Sequence, residues 1–361
     1  MAVKTNLSSL LTSADLSAYF LKYAAEIKSD DKYFRTVEHK GDNWGTIGLQ
    51  GAQTNLAAGL ISSNASAPVL SRPSVQSVIG SFLEFGGAFD MSSDDIQQFF
   101  DLKQAFASSG NQGDAVALLD FYGGDVARCR SIIQNEKMFL NWNLLSNACN
   151  IDITLANSTY GKSMTSTSYP LESWNKDVVA TTWSNIASLI VDDIVEAVEL
   201  GKTKQKKYTR MFVNPTTFNY IRKNTQVQNL CASRISVVLS SVGMPSLDTI
   251  NMMFNELCGI TIVVISDYID RESVAGIVTT GYAFNDNVVV FSESDALGHF
   301  GYKSIAIIDP SVEARQGYFI IGNSLETNPS KSTTYSKCKG FSVIDSYASN
   351  LYLKIDANAW A

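Results

Sequence analysis

The sequence predicts an α+β chain built from a polar arm, a long β-ribbon, a spine helix and an α/β unit, and three observations carry that prediction. From Asn43 to Leu83 the only charged residue is Arg72, and Gly, Ala, Ser, Thr, Asn and Gln dominate. Residues 123–148 repeat apolar side chains at spacings near three and four, the period of one helix face. Beyond about residue 180, helix and strand signals alternate at short intervals, as in a mixed sheet covered by helices.

At 361 residues the chain is long enough for about two domains that bury their own cores. The 45% hydrophobic and 17% charged shares are those of a globular protein, and no apolar run is long enough to cross a bilayer, so no membrane partner is expected. Residues 1–20 lack the zones of a secretory signal, which points to synthesis and retention in the cytoplasm. The net charge of -7 disfavours affinity built on neutralising phosphates. Lys202, Lys204, Lys206, Lys207 and Arg210 form a local exception that reads as a solvated connector, with contact to DNA or an acidic neighbour as the other reading.

Residues 1–40 form an arm with short helical patches such as 16–27. Residues 41–92 form the extended loop, a two-stranded excursion ending in PSVQSVIGSFLEFGGAF. An isolated ribbon is marginal in water and offers open edges, so it needs a surface to lie on. Trp44, Ile47, Leu49, Arg72, Val75, Val78, Phe82 and Phe85 are the residues expected to meet another subunit there.

Residues 93–179 hold helices over 93–107 and 123–148. The second is the spine: Val126, Cys129, Ile133, Leu140, Leu144 and Ala148 form its stripe, Asp125 its N-cap, and Arg128, Arg130, Glu136 and Lys137 its other side. Residues 150–155 are strand-like and 156–180 a polar connector.

In the α/β unit, 180–325, helices are expected over 185–200, closed by Gly201, over 216–223, capped by Asn214-Pro215, and over 246–257, stopped by Gly259. Strands are expected over 208–213, 260–265, 274–279 and 287–291. Residues 326–361 carry two further strands, FSVID and LYLKID, expected to return to the spine helix.

Candidate chemistry is sparse. Ala156 to Ser163, ending Gly161-Lys162-Ser163, fits a relaxed phosphate loop, but its first glycine is replaced by Ala156, and Thr residues and Pro170 follow where a helix must start. Asp267 imitates the second acidic motif of such enzymes. His39 and His299, the only histidines, are far apart, and Cys129, Cys149, Cys231, Cys258 and Cys338 are dispersed, so no metal site, disulfide framework or triad is assembled. Gly322-Asn323-Ser324 reads as a loop, and Asp192, Asp193, Glu196 and Glu199 as a solvated acidic face. The expectation is a structural protein with no catalytic residues and no cofactor.

Several stretches together resemble the major capsid proteins of tailed bacteriophages, the Hong Kong 97-like fold in its lambda-type branch. They are PVLSRPSVQSVIGSFLEFGGAFDMS, Trp183 ahead of IASLIVDDIVEAVELG, RMFVNPTTFNYIRKN, NDNVVVFSESDALGHFGYKSI, and Glu326 with Asn328-Pro329 before the last strands. Each is weak alone; their order gives them force. The resemblance implies hexamers and pentamers in an icosahedral shell, the α/β unit at the symmetry axes, and the extended loop on a neighbour. It also implies double-stranded DNA inside, bound without sequence specificity, portal and scaffolding proteins as partners with a decoration protein as an optional one, and residence in the virion after synthesis in the bacterial host cytoplasm. Some relatives join a loop Lys to an Asn of another subunit, but no Lys occurs here between Lys40 and Lys103, so a non-covalent shell is expected. An encapsulin-like compartment and a nucleotide hydrolase using Lys162 are the alternatives.

Overall fold

The computed structural model describes residues 28–50, 74–109, 112–151, 167–235, 244–272, 278–308, 313–327 and 330–360. The Ala156 to Ser163 loop, Arg72 and residues 1–27 of the arm lie outside them.

The chain opens with a short 3-10 turn, Ser29–Lys32, then β1 (Phe34–Glu38), β2 (Asn43–Gln50), β3 (Ser74–Ser81) and β4 (Leu83–Met91). Two helices follow, α1 (Ser93–Ser109) and α2 (Gln112–Ser146), then β5 (Asn150–Ile151), β6 (Thr167–Ser168) and β7 (Lys176–Val178). Next come α3 (Ile190–Thr203), β8 (Arg210–Val213), α4 (Pro215–Lys223), α5 (Thr225–Ile235), α6 (Leu247–Cys258), β9 (Thr261–Val264), β10 (Tyr268–Glu272), β11 (Val278–Tyr282) and β12 (Val288–Ser292). The remainder is strand: β13 (Gly298–Tyr302), β14 (Glu313–Gln316), β15 (Phe319–Thr327), β16 (Ser330–Ile344) and β17 (Leu351–Lys354).

Two larger sheets organise these elements. The first runs β1-β13-β16-β15-β14, with β4 also paired to β16. The fifteen residues of β16 are its axis: 332–340 pair antiparallel with β4, and 340–344 with β13. The spine helix α2 lies on this sheet, burying Val126, Cys129, Ile133, Leu140 and Leu144. The second sheet runs β7-β17-β12-β8-β9 and is covered by α3, α4, α5 and α6.

The caps behave as their residue types dictate. The Asn214 side chain accepts the Thr217 N–H at 2.8 Å with Pro215 at the first helical position, and Ser246 accepts the Thr249 N–H at 3.3 Å. Gly259 ends α6 at φ 77°, a left-handed position.

Five expectations are corrected. Asp125 does not cap the spine, which begins at Gln112 and runs through Gly123-Gly124; it pairs within the helix with Arg128 at 3.7 Å. The glycines cost about 1 kcal/mol each, a cost that packing on the β16 sheet outweighs. Lys137 does not face outward; it is buried against Asp30 at 3.3 Å and Asp31, both delivered by the segment ahead of β1. Helix α3 starts at Ile190, because residues 185–188 form a turn in which Ser188 N–H bonds the Asn185 carbonyl, and Gly201 lies inside the helix, against the Tyr208 ring. Gly322-Asn323-Ser324 is strand, with Asn323 buried between Ser332 and Thr334. Leu351–Lys354 does not return to the spine; it lies between β7 and β12 in the second sheet.

The arm also differs from a free strap over its described part. β1 pairs parallel with β13, and Tyr33 and Phe34 pack edge-on to Trp142 of the spine at 5.5 Å.

Candidate intersubunit surface

The ribbon expected between residues 41 and 92 is present at its root, where β2 and β3 pair antiparallel from Asn43↔Ser81 to Gln50↔Ser74. Strand side chains alternate between faces, and the two faces of this ribbon have different surroundings.

The inner face lies on the chain's own body. Trp44 is buried, its ring stacked on Phe341 at 5.1 Å and on Tyr169 at 6.1 Å, its indole N–H donated to the Ser81 carbonyl at 3.2 Å. Val78 is buried beside it, Thr46 donates to Asp345 at 2.9 Å, and the Tyr347 hydroxyl donates to the Gln76 carbonyl at 3.2 Å. Gly48 and Gly80 are required here, because a Cβ at either would collide with the ring of Tyr347 or Trp44.

The outer face is bare: Ile47 is 67% exposed, Val75 64% and Ile79 71%. Ile47 lies opposite Ser77, with Val75 and Ile79 as its diagonal neighbours, so the three form one uncharged apolar strip. Fully covering such side chains is worth about 1.5–3 kcal/mol each.

Of the expected contact residues, Ile47 and Val75 are thus displayed, while Trp44, Val78 and Phe82 find partners within the chain. Phe82 meets His39 at 5.4 Å, and Phe85, half-buried, meets Phe300 at 6.3 Å. The Leu49 side chain and Arg72 lie outside the described residues. Ile79 was missed, although its parity with Val75 along β3 places it on the same face.

A second uncovered ribbon is formed by β10 and β11, with Tyr268 and Val278 exposed and Tyr268 edge-on to Tyr282 at 4.8 Å. It touches the spine through Arg271, which bonds Glu136 at 2.9 Å and sits over the Phe139 ring.

The residues that could have carried chemistry have structural partners. Asp267 accepts the Trp142 indole N–H at 3.0 Å and the Ser29 hydroxyl. In the acidic row of α3, Asp193 accepts the Trp183 indole at 2.8 Å, while Asp192, Glu196 and Glu199 are exposed, Glu199 pairing with Lys202. Burial pushes the Cys129 and Cys149 thiols up to about 12, so neither is a ready nucleophile. Among the described residues no three His, Cys, Asp or Glu side chains are grouped to hold a metal, and no helix is long and apolar enough to cross a membrane. In the basic run, Arg210 pairs with Asp295 at 2.8 Å, and Lys204 and Lys207 are exposed.

No family model matches the chain, and no curated protein matches it by sequence. Solved structures do. A protein assigned as the capsid protein of a prophage of Escherichia coli CFT073 aligns over 96% of this chain and 99% of its own, with a TM-score of 0.59 at 12% identity. A phage-related protein of Bordetella bronchiseptica RB50 aligns over 97% and 99%, with a TM-score of 0.46 at 10% identity. The capsid of Myoviridae phage XM1 aligns over 92% and 94%, with a TM-score of 0.43 at 10% identity. Across nearly its whole length the chain therefore has the Hong Kong 97-like fold, the fold of that prophage capsid protein.

Proposed function

We propose that this chain is the major capsid protein of a tailed bacteriophage, a building block that assembles with copies of itself into an icosahedral shell of hexamers and pentamers around double-stranded DNA. The observation that carries the reading is the ribbon root within this fold: one face is cemented to the chain's own body and the other leaves Ile47, Val75 and Ile79 exposed. The neighbouring copy supplies the cover, and closed symmetry multiplies each small contact over the whole shell. In this reading residues 41–92 form the extended loop, 93–179 with 326–361 the peripheral part, and 180–325 the axial part, except that β13, β14 and β15 join β16 in the first sheet and β17 is lent to the axial sheet. Portal and scaffolding proteins, and a decoration protein where one is used, are its other partners, and the virion is its place of residence.

The test is electron microscopy of purified protein carrying Ile47→Asp and Ile79→Asp together. Closed spheres from the unaltered chain and dispersed, folded subunits from the variant are expected. Intact spheres from the variant would overturn the assignment of the ribbon face; rods or dispersed monomers from the unaltered chain would overturn the shell itself.

A further inference from the structure

The two histidines, far apart in sequence, meet at the root of the ribbon. His39 lies four residues ahead of β2, and its ring stacks on His299 of β13 with centroids 5.6 Å apart and planes 17° apart. His299 is buried and its Nδ1 bonds Asp345 at 2.8 Å; the other oxygen of Asp345 accepts the Thr46 hydroxyl of β2 at 2.9 Å. His39 also meets Phe82, the residue that follows β3, and both rings cover Gly301. The chain enters the ribbon at one imidazole and leaves it at a phenyl ring on that imidazole, while a hydrogen bond runs from inside the ribbon through Asp345 to the second imidazole.

His299 has a carboxylate beside it, Asp345. A proton on His39 has no such outlet, since its buried Nε2 has no hydrogen-bond partner and its ring faces His299. The other ionisable groups facing the pair leave this unchanged. Arg35 of β1 acts on Asp345, Tyr302 of β13 is influenced by Glu38, and Tyr169 is influenced by Asp345. Lys303 is held by Asp42, and Lys339 bonds Glu84 at 3.1 Å.

We propose that the His39–His299 stack is an acid-responsive latch: at neutral pH it fastens the root of the ribbon to the body, and on mild acidification a proton on His39 releases it. Burial, and then the neighbouring His299, hold the His39 imidazole below its ordinary value. A released His39 therefore binds the proton more tightly than a latched one, so the fastening is fully present above about pH 6.5 and is lost as pH falls below it. Burial pushes Asp345 up, but the bonds from His299 and Thr46 outweigh it and hold the carboxyl below its usual range, so it stays charged throughout that window. The inference concerns the chain itself and stands whether or not the shell reading does.

Hydrogen–deuterium exchange of the full chain, at about pH 7.5 and 5.5 with labelling times scaled for intrinsic chemistry, tests it. In the unaltered chain, protection of peptides covering 43–50 and 74–81 should fall at the lower pH. His39→Phe, which keeps the stack without a titratable group, should hold that protection constant. Should that variant fail to fold, His39→Gln is read in the same way. Equal protection at the two pH values in the unaltered chain, or an undiminished response in the folded variant, overturns the latch.

Discussion

Trp44 and Ile47 are three residues apart on one strand, and their fates are opposite. Trp44 completes an aromatic pile with Phe341, Tyr169 and Tyr347, so Trp44→Ala should cost about 3–5 kcal/mol, read as a lower denaturant midpoint of the dispersed subunit. Ile79→Ser removes nothing packed in the subunit and should shift that midpoint by no more than about 0.5 kcal/mol, while weakening assembly. Lys137 poses a sharper case. Burial pushes the Asp30 carboxyl up, with Lys137 and then Asn141 drawing it back, so Lys137→Met leaves a buried carboxylate short of its cation and should destabilise by about 3–5 kcal/mol near neutral pH. A raised carboxyl favours folding while protonated, so the loss in that variant should shrink as the solution is made more acidic. Thermal melts of Lys137→Met at several pH values check both the size and the direction.

Among the elements, what could be read from residues alone tracks how local the cause is. Asn214-Pro215 and Ser246 announce helix starts, and Gly259 an end, because a cap is decided by atoms within four residues. Gly259→Ala forces a side chain into the left-handed region and should cost about 1 kcal/mol, measurable by chemical denaturation. The spine's true start at Gln112 was hidden because Asp125, read as its N-cap, lies inside the helix. The ribbon was visible as a charge-poor stretch, but which of its faces is inner depends on Asp345 and Tyr347, nearly three hundred residues away. Period-two parity would have separated Trp44 and Val78 from Ile47, Val75 and Ile79; what each set touches could not be inferred without the fold. The histidine stack was invisible for the same reason, since β1 and β13 become neighbours only in the sheet.

For the whole molecule, the order of arm, ribbon, spine and α/β unit carried the fold class, and the agreement over 96% of the chain with the prophage protein matches it. Strand membership was the part that failed: β1 and β17, at opposite ends of the described chain, each lie in a sheet built largely from other segments. A cut at residue 40 would therefore remove a paired strand along with Tyr33 and Phe34, so a truncation meant to probe the arm should stop at residue 27. With no Lys from residue 41 to 102, assembled particles should run as single-subunit bands on denaturing gels; a ladder of covalent multimers would show a cross-link of another kind.

The position of β17 has one more outcome. Its strand lies between β7 and β12, and it arrives more than fifty residues after β12 along the chain. While a ribosome is still making that stretch, the nascent polypeptide holds β12 with a vacant edge and Val289 and Phe291 without their cover from Leu351 and Leu353. The second sheet can close only once Lys354 has been made, so a copy terminated before β17 keeps an open edge on β12.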